Sequence, residues 1–189
     1  MDKSKPEDSR RENNHQMEVN STAHSLTIKM LTLLAIAIAT LLIIAGFFIN
    51  TPEQPMFEVM IKNTNVIPSN LSSINPQLSK ILDMYCKSAP ILALAFFLFA
   101  RQYLIIQKTQ GLRVLIKTLL AFTILYFIII YYLLLHSSVL NESGALLRFL
   151  SSNDYLLTLF FICVYSACYV LSVYYFSFVY AVVKLTRNR

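Results

Sequence analysis

The chain has 189 residues, 56% of them hydrophobic and 14% charged, with 16 Lys/Arg against 10 Asp/Glu; its mean hydropathy is +0.57. A soluble domain of this length carries about 25% charged residues, and the charges here are also segregated, with no acid in 84–141 or in 155–189. These figures exclude a large water-soluble domain and predict a polytopic membrane protein.

Residues 1–28 are polar, lack hydrophobic periodicity, and read as a disordered tail. Lys3, Lys5, Arg10 and Arg11 alternate there with Asp2, Glu7, Asp8 and Glu12. Such mixed charge does not make a nucleic-acid arm, and no nucleic-acid partner is expected. The rest, 29–189, reads as one membrane domain. Its first span is 31–49, without a charge between Lys29 and Asn50. At the helical rise it reaches roughly 28 Å, close to the hydrocarbon thickness, and it reads as an uncleaved anchor. Ala35 and Ala39 form a small-xxx-small step, with Gly46 further on, which suggests close helix packing.

The connection 50–87 is broken by Pro52, Pro55, Pro68 and Pro76. Residues 57–61 fit either a short strand or a surface segment. At 74–90 the chain reads Ile-Asn-Pro-Gln-Leu-Ser-Lys-Ile-Leu-Asp-Met-Tyr-Cys-Lys-Ser-Ala-Pro. Asn75 can cap a helix that Pro76 opens. Leu78, Ile81, Leu82 and Tyr85 then fall at i, i+3, i+4, i+7 on one apolar face. Lys80, Asp83 and Lys87 share another face, with Asp83 to Lys87 in the favourable i, i+4 order. Pro90 clashes with the carbonyl of Cys86, so the helix kinks or restarts there. The expectation is a short amphipathic helix lying at a membrane surface before the second span.

That span is 88–106. Arg101 interrupts it at an insertion cost of about 2.5–3.5 kcal/mol if central; lying close to Lys108, it should snorkel to the nearer surface. The loop 107–117 is short and basic. The third span is 118–135, a polar connection covers 136–154, and the fourth span is 155–183. Fully helical, the fourth span would reach about 43 Å, so it should tilt or protrude. Tyr155 and Tyr180 suit its two interfaces. Tyr165 and Tyr169, at i, i+4, must place their hydroxyls in mid-span. Packing within the bundle is the plainer reading, and a hydrogen-bonding face for a foreign helix is the functional one.

Four spans put both termini on one side. Twelve Lys/Arg lie on the side of the termini and the 101–117 loop, and four (Lys62, Lys80, Lys87, Arg148) lie opposite. The positive-inside rule therefore predicts cytoplasmic termini and a periplasmic amphipathic helix. Cys86, Cys163 and Cys168 give no disulfide framework; 163 and 168 do not share a helix face, and Cys86 alone lies near a surface. The three histidines match no metal spacing. The four predicted spans hold no Asp or Glu, and no phosphate loop, HExxH motif or Ser/His/Asp set occurs. No catalysis, cofactor or metal is expected. Composition alone leaves open a transport accessory or small exporter.

The 75–94 stretch, with Lys80, Asp83, Tyr85, Cys86, Lys87, Ala89 and Pro90 in place, resembles the immunity proteins against pore-forming colicins of the A type. Further echoes are Thr51-Pro52, Ile67-Pro68-Ser69 with Ser73, Gly144, Arg148, Asn153-Asp154 and Tyr165-Ser166. The resemblance runs from about residue 31 to the end. It implies an all-α, integral membrane four-helix bundle of the bacterial inner membrane. It also implies a partner, the C-terminal channel-forming domain of a cognate colicin, met within the bilayer and kept from opening. On this basis Lys80, Asp83, Lys87, Arg148, Asn153 and Asp154 are expected to form a periplasmic rim. Tyr85, Pro90, Tyr165 and Tyr169 join them as candidate partner-binding positions on the second and fourth spans.

Overall fold

The computed structural model describes residues 5–51, 55–64, 66–104, 111–137, 139–140 and 144–187. It is all-helical: α1 (Lys5–Asn50), α2 (Pro55–Asn63), α3 (Pro76–Cys86), α4 (Ala89–Ala100), α5 (Leu112–Ile130), α6 (Ala145–Leu150) and α7 (Asp154–Arg187). A 3-10 turn, Arg101–Tyr103, follows α4, and a π-helical turn, Tyr131–Leu135, follows α5. Residues 105–110, with Lys108 of the basic loop, lie outside the described residues.

Four helical segments are long and apolar enough to cross a membrane: Ser21–Asn50, Pro76–Tyr103, Arg113–Leu135 and Asp154–Arg187. The helix of the first span runs back to Lys5, through residues for which the sequence shows no apolar face and disorder is expected. Propagation from an existing helix costs far less than nucleation, which accounts for the extension. At 57–61 the strand alternative gives way to α2, with Phe57 buried against Phe48 at a ring distance of 5.2 Å.

α7 is the spine, with α4, α5, α1 and α3 all packed on it. Half of its apolar window is buried, against 11% for the third span, which lies at the edge of the bundle on α7. The packed stripe of α1 is Met30, Leu34, Ala37, Leu41, Ala45 and Phe48, spaced in steps of three or four. Ala35 and Ala39 are exposed, and a Cβ on Gly46 would meet nothing within 4 Å. The expected small-xxx-small contact is therefore not the one made; Ala37 and Ala45 allow the close approach instead.

Between α3 and α4 the helix breaks and restarts. Pro90 has no N–H to offer the carbonyl of Cys86. The Ser88 amide tightens onto the Tyr85 carbonyl at 3.0 Å, the Ser88 hydroxyl joins it at 2.7 Å, and the Leu92 amide resumes the ladder on Ser88 at 3.0 Å.

Candidate functional site

The start of α3 is built as the sequence predicts. Asn75 Oδ1 accepts from the Leu78 amide at 3.1 Å with Pro76 in the first turn. The same side chain reaches outward, its Nδ2 donating to Asp154 Oδ1 at the head of α7 at 3.3 Å. One cap thus ties two spans together.

The environment of α3 differs from the expectation. Its charged face points inward: Asp83 is 1% exposed and Lys80 is 7% exposed. Residues 67–75 cover that face. Lys80 Nζ donates to the Ile67 carbonyl at 2.6 Å. Asp83 is ion-paired with Lys87 and accepts from Asn70 Nδ2 at 3.3 Å. Asn70 also donates to the Leu133 carbonyl at 3.2 Å. Ser79 Oγ accepts from the Ser72 amide at 2.9 Å, and Ser72 Oγ donates to the Ser151 carbonyl at 3.2 Å. The Leu140 amide closes the set on the Leu71 carbonyl at 2.9 Å. Buried charges persist when paired and hydrogen-bonded, and here Asp83 is ion-paired while Lys80 is held by a backbone carbonyl. The expected rim of Lys80, Asp83 and Lys87 is therefore corrected: Lys80 and Asp83 are inside, holding the loops, and Lys87 is drawn in after its carboxylate.

The apolar helical run that contains α4 begins at Pro76, ahead of the expected start at residue 88, and so takes in α3 with its carboxylate, Asp83. Cys86, expected near a surface, is fully buried and donates from Sγ to the Phe161 carbonyl at 3.3 Å.

The tyrosines are internal. Tyr85 donates to the Ala37 carbonyl at 2.9 Å and stacks on Tyr165 with centroids 5.2 Å apart. Tyr169 is fully buried with its hydroxyl 3.4 Å from the Met30 carbonyl. These contacts bind α1, α3 and α7 together, which is the packing alternative. A second polar contact escapes sequence reasoning: Tyr126 of α5 hydrogen-bonds Ser172 of α7 at 3.1 Å and stacks on Tyr175 at 4.1 Å. Tyr126 is one of many aromatic residues on the apolar spans, and only the rotation of two helices singles it out.

Of the expected rim, Arg148 and Asn153 are exposed, and Asp154 is half-buried beneath Asn75. Asn153 Oδ1 accepts from the Tyr155 amide at 2.8 Å, shaping the entry to α7. Leu146 and Phe149 stand exposed beside Arg148 on α6, as does Tyr155. No periodic pattern marks so short a helix, so its outward apolar residues are not foreseeable from sequence. At the opposite end of the bundle Lys29 lies 5.6 Å from the Tyr103 ring centroid and Lys184 lies 5.7 Å from that of Tyr180. Arg101 is exposed in the turn between Ala100 and Leu104.

Residues 53–189 match the family described as colicin immunity protein. The chain belongs to that family. It is similar to the colicin-A immunity protein of Citrobacter freundii, 27% identical over 131 residues, covering 69% of this chain and 74% of the relative. No solved structure matches. The family assignment and the four apolar helices together make this a bacteriocin immunity protein with multiple membrane passes. The match takes in the α3 segment, its covering loop and α7, the parts joined by the buried polar network.

Proposed function

We propose that this protein protects the cell producing a pore-forming colicin by binding the toxin's channel-forming domain in the inner membrane and preventing its opening. The observation that carries the reading is where the ordered mass lies. Membership in a colicin immunity family is combined with a fold whose apolar spans dominate, so a partner is met in or at the bilayer. The likeness to a colicin-A immunity protein supports a toxin of the A type.

Both termini face the cytoplasm in this reading. Lys29, Arg101 and Lys184 gather at one end of the bundle, and the positive-inside rule assigns that end to the cytoplasm. α3, α6 and the loops around them then face the periplasm, where a channel domain arrives. The exposed Arg148 and Asn153, with Leu146, Phe149 and Tyr155, form the polar and apolar rim that meets it. The spans Pro76–Tyr103 and Asp154–Arg187 supply the surface within the bilayer. There, association rests on packing and polar pairs, because lipid is as apolar as the helices.

A survival assay tests the proposal. The chain is expressed in a colicin-sensitive strain, and pore-forming and nuclease colicins are spotted on the lawn. Resistance to an A-type pore former is expected, with sensitivity to a nuclease colicin that uses the same receptor. Resistance to both would indicate blocked uptake. Sensitivity to every A-type pore former, with the protein present in the membrane, would overturn the proposal.

A further inference from the structure

A groove of about 380 Å³ runs between α1 and α4. Leu33, Ile36, Ile91, Leu92 and Ala95 make its walls, and the Tyr85–Tyr165 pair closes its inner end. Ile91 at its lip is 71% exposed, so the groove opens sideways. Three of its hydroxyls are already committed to backbone carbonyls: Thr40 to Ile36 at 3.0 Å, Tyr85 to Ala37 at 2.9 Å and Ser88 to Tyr85 at 2.7 Å. A polar ligand would find those donors in use, whereas hydrocarbon loses nothing by entering.

The helices flanking it run antiparallel, with Tyr85 beside Ala37 at the inner end and Tyr103 beside Lys29 at the other. The groove therefore leads from an aromatic floor toward the basic end of the two helices, which lies beyond its lining. Lys29 rests on the Tyr103 ring, and Arg101 stands exposed in the same turn. Among the described residues neither cation has a carboxylate partner. From Thr40 to Leu33 the groove follows α1 for roughly 10 Å at the helical rise, and Lys29 stands one turn beyond, so the line of an acyl chain continues to a basic end.

We propose that this groove is a binding site for one anionic phospholipid. An acyl chain lies along α1 and α4, and the phosphate sits at Lys29 and Arg101. The charge at this end selects an anionic headgroup, since basic side chains at a bilayer surface attract such lipids. The lipid fills the gap between two spans that are each packed on α7 and meet each other along an open seam.

Native mass spectrometry of the purified full-length protein, exchanged against phosphatidylglycerol and phosphatidylcholine, tests the site. One phosphatidylglycerol should be retained roughly tenfold better than phosphatidylcholine. Lys29→Gln with Arg101→Gln should bring that ratio near one, with helix content by circular dichroism unchanged. Ala95→Phe, which fills the groove and leaves the charges, should lower retention of both lipids. Equal retention of the two lipids by the unaltered protein would overturn the proposal. So would a preference that survives the double charge substitution, or retention indifferent to Ala95→Phe. Competition by soluble glycerol phosphate as effective as that by the lipid would reduce the site to a headgroup site and overturn it. A lipid-free dimer dispersed by Ala95→Phe would assign the groove to a second copy instead.

Discussion

α3 and α6 are short helices on the same side of the bundle, and each inverts the usual relation between polarity and burial. α3 carries Lys80 and Asp83 and buries both. α6 carries Leu146 and Phe149 and exposes both. The inversion follows from what each helix has beside it. α3 lies between α1, α2 and α7, under a loop rich in Ser and Asn that supplies a partner for every charge. α6 has α7 beside it and is only six residues long, so one face of it is packed. A dense motif of charged residues thus marks a structural joint here, while the plainer helix presents the accessible surface.

The largest expected effect comes from breaking the joint. Asp83→Ala leaves the partly buried Lys87 without its carboxylate and Asn70 without its side-chain acceptor, and should cost about 3 kcal/mol, measured by SDS unfolding in mixed micelles. Protection should fall with the amount of protein in the membrane. Asp83→Leu with Lys87→Met should recover most of that loss, because replacing both partners strands neither charge. If Asp83→Ala were neutral, α3 would be no joint and the contrast would collapse.

On α6 the expectation reverses. Arg148→Glu with Asn153→Lys should lower stability by no more than about 1 kcal/mol, through the lost Asn153 contact with the Tyr155 amide, and leave the membrane level unchanged. The tolerated dose of the cognate colicin should drop roughly tenfold in a lawn assay, as for a contact residue in a central patch. Unchanged protection would move recognition away from this rim.

Smaller effects sharpen the picture of the joint. Asn75→Ala removes both the α3 cap and the contact with Asp154 and should cost about 1 kcal/mol in the same unfolding assay. Tyr126→Phe, which deletes a neutral polar pair between α5 and α7, should cost about 0.6 kcal/mol, the average for hydrogen bonds between membrane helices. A Tyr126→Phe loss as large as that of Asp83→Ala would remove the special standing of α3.

Local signals made much of this fold legible in the sequence. Asn75-Pro76 announces the start of α3 and Pro90 its end, because capping and a missing amide act within one turn. Long uncharged runs announce the spans by length alone. The direction in which α3 turns its faces is not local. Periodicity shows that Leu78, Ile81 and Leu82 share a face and that Lys80 and Asp83 share another. It does not show that both are covered, since the cover comes from Asn70, Ser72 and Ser151, distant in the chain or unremarkable in composition. For the same reason the sequence makes internal packing only the plainer reading for Tyr165 and Tyr169. The Tyr169 hydroxyl ends on the Met30 carbonyl and the Tyr165 ring on Tyr85, contacts which no spacing rule reveals.

The polar joint also has a bearing on how the chain is made. Ser72 and Ser151, and Asn75 and Asp154, are each 79 residues apart, and Tyr169 reaches back 139 residues to Met30. α3 must therefore wait through the synthesis of nearly half the polypeptide before its partners on the last helix exist. Until α7 is threaded, Asn75 lacks Asp154, Tyr85 lacks the Tyr165 ring and α1 lacks its spine. Ribosomes that stop short of Asp154 would release chains whose α3 is capped but docked on neither partner.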